Sequence, residues 1–85
     1  MVKELIFPFD LSGRTAMLFV QATQEALKTP IQMGDLNRRV NAKSLLGILS
    51  LGIKKGDTVS IFYQEEKYLG VMEEIIKSLQ EELQW

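Results

Sequence analysis

Hydrophobic and polar positions divide the chain into seven short segments of changing period. Val2-Lys3-Glu4-Leu5-Ile6-Phe7 mixes β-formers with two charged residues, and Pro8 ends any ladder they join, which predicts an edge-adjacent strand. Asp10-Leu11-Ser12-Gly13 is a turn cluster in which Ser12 is a strong helix N-cap, its hydroxyl placed to accept from the first free backbone donors. Ala16, Phe19, Val20, Thr23 and Leu27 then recur at helical spacing, with Gln21, Gln24, Glu25 and Lys28 between them, so an amphipathic helix ends before Pro30. Ile31-Gln32-Met33 alternates as a half-buried strand does; Gly34-Asp35-Leu36-Asn37 reads as a hairpin turn and Arg38-Arg39-Val40-Asn41 as the return strand. Ser44 opens the apolar run Leu45–Leu51, about two helical turns long, with Gly52 as its stop and Lys54–Asp57 as a turn. Thr58–Tyr63 is β-branched and aromatic with period two, a clear strand. Leu69, Met72, Ile75, Ile76, Leu79 and Leu83 mark a long last helix with Glu and Lys on its outer face.

The order β-α-β-β-α-β-α, with hairpin-joined strands and helices enough to cover one face, predicts an α+β open-faced sandwich. Eighty-five residues, 46% of them hydrophobic, fit one domain spanning 1–85 with one core and no linker or repeat. Ten Lys+Arg against eleven Asp+Glu give a net charge of −1, so there is no electrostatic footprint for nucleic acid or an anionic membrane surface. No apolar stretch approaches the ~20 residues that span a bilayer, and residues 1–9 lack the features of a secretory signal; a bacterial-type cytoplasmic domain is the expectation.

The absence of histidine changes the picture most. With no His and no Cys, the inventory for acid–base or nucleophilic work shrinks to carboxylates, Lys and Tyr. The acidic pairs Glu65-Glu66, Glu73-Glu74 and Glu81-Glu82 read as solvated helix surface. No phosphate-binding loop, dinucleotide fingerprint or metal-ligand spacing occurs, so the expectation is a protein-binding domain with no cofactor, no metal and no enzymatic activity. Two helix starts, Ser12-Gly13-Arg14 and Asn41-Ala42-Lys43-Ser44, place a hydroxyl and a cation where free N–H groups and the helix dipole favour anions. A phosphate on either serine would sit in stabilising geometry; the simpler reading makes both serines ordinary caps worth about 1 kcal/mol each.

Val40-Asn41-Ala42-Lys43-Ser44-Leu45-Leu46-Gly47-Ile48-Leu49-Ser50-Leu51-Gly52 closely resembles the segment around the regulatory serine of HPr, the small phosphocarrier of the bacterial sugar phosphotransferase system. Arg14 and Ala16-Met17-Leu18-Phe19-Val20-Gln21 resemble that family's first helix. The resemblance covers nearly the whole chain and implies a four-stranded antiparallel sheet with three helices on one face. Where HPr proteins carry Gly-Leu/Ile-His-Ala-Arg-Pro-Ala, this chain has Asp10-Leu11-Ser12-Gly13-Arg14-Thr15-Ala16. Ser12 thus stands at the position of the phosphoryl-accepting histidine, and Thr15 replaces the proline that pre-sets the first turn. A phosphoserine ester is far more stable than the N–P bond of phosphohistidine, and the sequence places no base beside Ser12, which argues against phosphorelay through it.

Members of the Crh type share this loss: the histidine is replaced, the regulatory serine is kept, and the protein acts in carbon catabolite repression. The resemblance implies phosphorylation of Ser44 by an HPr kinase and binding of the product to a LacI-type catabolite control repressor as corepressor. It implies that Arg14 pairs with the phosphate, across the interface or locally, and that Lys43 helps the kinase dock. Leu45, Leu46 and Leu49 match the family's apolar docking patch. Read from the residues alone they fit core and surface equally, though a two-turn helix on a sheet must leave at least one exposed. A monomer and a first-strand-exchanged dimer both fit the Pro8–Gly13 hinge. A binding module that kept the fold without a phosphorylation cycle is the alternative function. No function falls to Trp85.

Overall fold

Seven elements form in the predicted order: β1 (Val2–Ile6), α1 (Gly13–Ala26), β2 (Gln32–Gly34), β3 (Arg39–Asn41), α2 (Leu45–Leu51), β4 (Thr58–Phe62) and α3 (Glu66–Leu83). They are seen in a computed structural model that describes residues 1–83, so Trp85 lies outside the described residues. All strand pairs are antiparallel and the sheet order is β1-β4-β2-β3. The first strand is therefore itself an edge rather than a neighbour of one. Only the ladder, which inserts the fourth strand between the first and the second, could decide this; no local pattern encodes it.

Strand period sorts the side chains onto two faces. Leu5 pairs with Val59 in one row, Ile61, Met33 and Val40 line up in the next, and both rows lie under the helices. Val2, Phe62, Gln32 and Asn41 form a row on the open face, and Glu4, Ser60, Gly34 and Arg39 form the next. The core gathers Phe7, Phe19, Leu11, Ile31, Ile48, Ile61 and Met72, with Phe7 set edge-on to Phe9 and Phe19 at centroid distances of 5.8 and 5.9 Å.

Gly34 is required where it stands. Its φ is +144°, and a Cβ there would meet the Arg38 carbonyl oxygen at 2.0 Å. The missing side chain also leaves β2 flat, so that Arg39 reaches across from β3 and sets its guanidinium 3.9 Å from the centroid of Phe62 on β4. The return strand starts at Arg39 rather than Arg38, because Asp35 holds Asn37 and Arg38 in the turn through two bonds of 2.8 Å to its Oδ1. Gly52 ends α2 in the left-handed conformation, φ +59°, as its place after the apolar run predicts.

Candidate functional site

The two serines singled out by the sequence sit at the starts of α1 and α2, and only one of them caps. Ser44 is the N-cap of α2: its Oγ accepts from the Gly47 backbone N–H at 3.2 Å. Asn41 prepares this start by accepting from the Lys43 N–H at its Oδ1, 2.8 Å away. Ser12 occupies the N-cap position of α1 but makes no side-chain cap bond, which corrects the expectation for it. The reason lies next door. Gly13 enters the helix at φ +51°, in the left-handed region, so the chain does not follow the extended-to-helical path that aims a cap hydroxyl at the free donors.

Ser12 instead borders an open cavity of about 460 Å³ that it shares with Asp10, Thr15 and Lys55. Asp10 is committed to structure, since its Oδ1 accepts from the Lys55 backbone N–H at 2.8 Å. With it, bonds from Phe7 N to Asp57 O, Gly56 N to Phe7 O and Leu11 N to Ile53 O sew residues 7–11 to residues 53–57. Among the described residues, no group of three or more acidic side chains is placed to hold a metal ion.

Around Ser44 the apolar run resolves into three environments. Ile48 is fully buried, and Leu45 and Leu51 are half-buried against the core. Leu46 is 80% and Leu49 40% exposed, so two of the three candidate docking leucines face solvent. Gly47 lets α2 lie close to β3, because a Cβ there would stand 3.0 Å from Cβ of Val40. Lys43 is half-buried and its carbonyl accepts from Gln24 Nε2 at 2.8 Å, a tie to the last turns of α1 that no sequence pattern announces.

That tie also measures where Arg14 stands. Gln24 touches the segment before Ser44, while Arg14 lies ten residues earlier on the same helix, ~15 Å along its axis. The structure thus groups Ser44, Lys43, Leu46 and Leu49 at one place and sets the exposed Arg14 with Ser12 at another. One contribution was missed by the sequence reading, the turn that the Asn41 side chain makes. Asn41 was detectable, since Asn two residues before a backbone donor is an Asx-turn signal.

Tyr63 is buried at the end of β4 and its hydroxyl donates to Glu66 Oε1 at 3.3 Å. Burial pushes its phenol above the ordinary value, and the charges of Glu66 and Glu73 push in the same direction.

Comparison with known proteins gives a consistent answer. A family model described as the PTS HPr component phosphorylation site matches residues 4–81. The chain is 33% identical over 73 residues to the HPr-like protein Crh of Bacillus subtilis strain 168, covering 86% of this chain and 85% of that protein. It is 32% identical over 72 residues to the HPr-like protein Crh of Halalkalibacterium halodurans, covering 85% and 84%. Among solved structures it is similar to HPr-C-His from Thermoanaerobacter tengcongensis, with a TM-score of 0.77, 29% identity, and 95% and 96% of the two chains covered. The Bacillus subtilis Crh structure, a dimer with a swapped domain, matches with a TM-score of 0.66 and 28% identity over 95% and 92%.

Proposed function

The chain belongs to the HPr family, and on that premise we propose that it is a cytoplasmic, non-enzymatic regulatory protein that carries no phosphoryl group to sugars and is switched at Ser44. An HPr kinase transfers the γ-phosphoryl of ATP to Ser44 Oγ, releasing ADP and the hydroxyl proton. The phosphorylated protein then binds a LacI-type catabolite control repressor as corepressor. The observation that carries this reading is the neighbourhood of Ser44, a half-exposed hydroxyl beside the solvent-facing Leu46 and Leu49. A dianionic group there adds charge next to an apolar patch, so a partner that reads both distinguishes the two states. Lys43 lies next to the modified hydroxyl for the kinase, and the exposed Arg14 pairs with the phosphate, across the partner contact or locally. The lack of histidine removes the family's acceptor, and among the described residues the Ser12 hydroxyl has no hydrogen-bonded base to activate it.

One observation favours a second reading, an HPr-fold binding module without a phosphorylation cycle. The Ser44 hydroxyl is already engaged as a cap, a role that needs no kinase. Incubation of the protein with ATP and an HPr kinase, followed by mass spectrometry, separates the two. Phosphate on Ser44 alone, with repressor binding that the unmodified protein lacks, is expected for the switch. No modification, with an ordinary HPr labelled in the same tube, leaves the binding module. Stable label on Ser12 that moves on to a sugar-specific domain would overturn both.

A further inference from the structure

The free edge of the sheet has both unpaired backbone groups and a groove beside it. Met1 and Tyr63 exchange two backbone bonds of 2.9 Å, so odd-numbered residues of β1 form the hydrogen-bonded pairs with β4. Val2, Glu4 and Ile6 therefore direct their N–H and C=O groups outward, where no strand pairs with them among the described residues. Alongside runs a groove of about 270 Å³, with Leu5, Ile6 and Pro8 on the strand side and Glu73, Ile76 and Lys77 on the helix side. Ile6 is 71% exposed, which makes this edge more apolar than a strand guarding against pairing.

We propose that this edge and groove are a self-association surface, occupied by the same edge and groove of a second copy. No strand is exchanged. The two β1 strands pair antiparallel into an eight-stranded sheet, and the two α3 helices pack antiparallel above the joint. The register follows from charge. Centring the two-fold axis on Glu4 sets two carboxylates opposite each other, and centring it on Lys3 does the same with two ammonium groups. Centring it on Leu5 puts Leu5 against Leu5 and pairs Glu4 with Ile6 of the second copy, completing four backbone bonds. The ladder then stops at Pro8, which has no N–H to give.

The helix level agrees independently. The helix starts beside Tyr63 and Met1, through the Tyr63–Glu66 bond, and its end lines the cavity beside Pro8 and Phe9, so α3 runs along β1 in the same direction. From Met1 to Leu5 the strand advances ~13 Å. From Glu66 the helix covers about the same length by Ile75. An axis through Leu5 therefore passes close to Ile75, and antiparallel helices centred there bring Glu73 of one copy to Lys77 of the other, twice. Centring the axis on Ile6 would advance it ~3 Å, to Lys77, and set two ammonium groups together. Strand and helix thus agree on Leu5, and this self-complementing charge selects a second copy over an unrelated peptide. The contact is at the small end of specific interfaces, on the order of 1,000 Å² in total, so the dimer is reversible and concentration-dependent.

Sedimentation of the unmodified full chain from micromolar to millimolar concentration at low salt tests this. The expected result is a monomer–dimer equilibrium. Glu73→Lys and Lys77→Glu should each raise the dimer dissociation constant by about ten-fold or more, because each sets like charges together at two places. The double exchange should restore it to near the starting value. Both positions are exposed, and circular dichroism melts establish that the variants fold. A chain that stays monomeric at millimolar concentration overturns the proposal, and so does a dimer that neither single exchange weakens, as strand exchange or another surface would give.

Discussion

Removing the Ser44 hydroxyl isolates one hydrogen bond. In Ser44→Ala the Gly47 N–H loses its acceptor, now 3.2 Å away, in a part-buried position. Loss of such a cap costs about 1 kcal/mol, and the rather long contact places this one in the lower half of the range. Ser44→Asp keeps an acceptor and adds a negative charge at a helix start, a gain of about 0.3–1 kcal/mol at low salt. The stability order should therefore be Asp at or above Ser, and Ser above Ala. Urea denaturation reads this directly. With a slope of about 1 kcal/mol per molar, Ser44→Ala should lower the midpoint by about 0.5–1 M at unchanged slope. Faster hydrogen exchange at the Gly47 amide should accompany it. An unchanged Ser44→Ala midpoint together with a Ser44→Asp midpoint below it would refute the reasoning. The bond would then contribute nothing, and a charge at this helix start would be unfavourable. The same series bears on the switch, since one carboxylate lacks the extra oxygens of a phosphate and should mimic it only in part.

Other positions give equally definite expectations. Gly34→Ala forces a Cβ toward the Arg38 carbonyl at a φ that L residues avoid, and should cost at least about 2 kcal/mol, or about 10 °C in Tm by calorimetry. Leu46→Glu should change stability by less than about 0.5 kcal/mol and abolish partner binding, whereas Ile48→Ala, two residues away, should cost about 2–5 kcal/mol by chemical denaturation. Tyr63 should ionise above the ordinary phenol value of about 10 in ultraviolet titration of the folded protein. Because its folded pKa is raised, the stability it contributes is fully present below the unfolded value of about 10 and is lost as pH rises through the folded one; Tyr63→Phe should remove that alkaline loss.

What was legible beforehand was whatever a local period or a single special residue encodes. The apolar spacing of Ala16, Phe19, Val20 and Thr23, the alternation of Val59 and Ile61, and Gly52 after Leu51 placed a helix, a strand and a helix stop within a residue or two of where they form. Helix and strand geometry repeat over a few residues, so a short window contains the information. Ser44 was legible as a cap for the same reason. The fate of the leucines was not. Leu46 and Ile48 are neighbours in one apolar run, and only the contact of α2 with β3, allowed by Gly47, turns Ile48 inward and leaves Leu46 in water. Nor was the silence of Ser12, which depends on the left-handed entry at Gly13. The edge position of β1, the reach of Arg39 over Gly34 to Phe62, and the tie of Gln24 to the Lys43 carbonyl are long-range facts. They follow from which strand is inserted between which others and from how the helices lie across the sheet. Burial and distance are properties of the assembled layers, and no segment carries them alone.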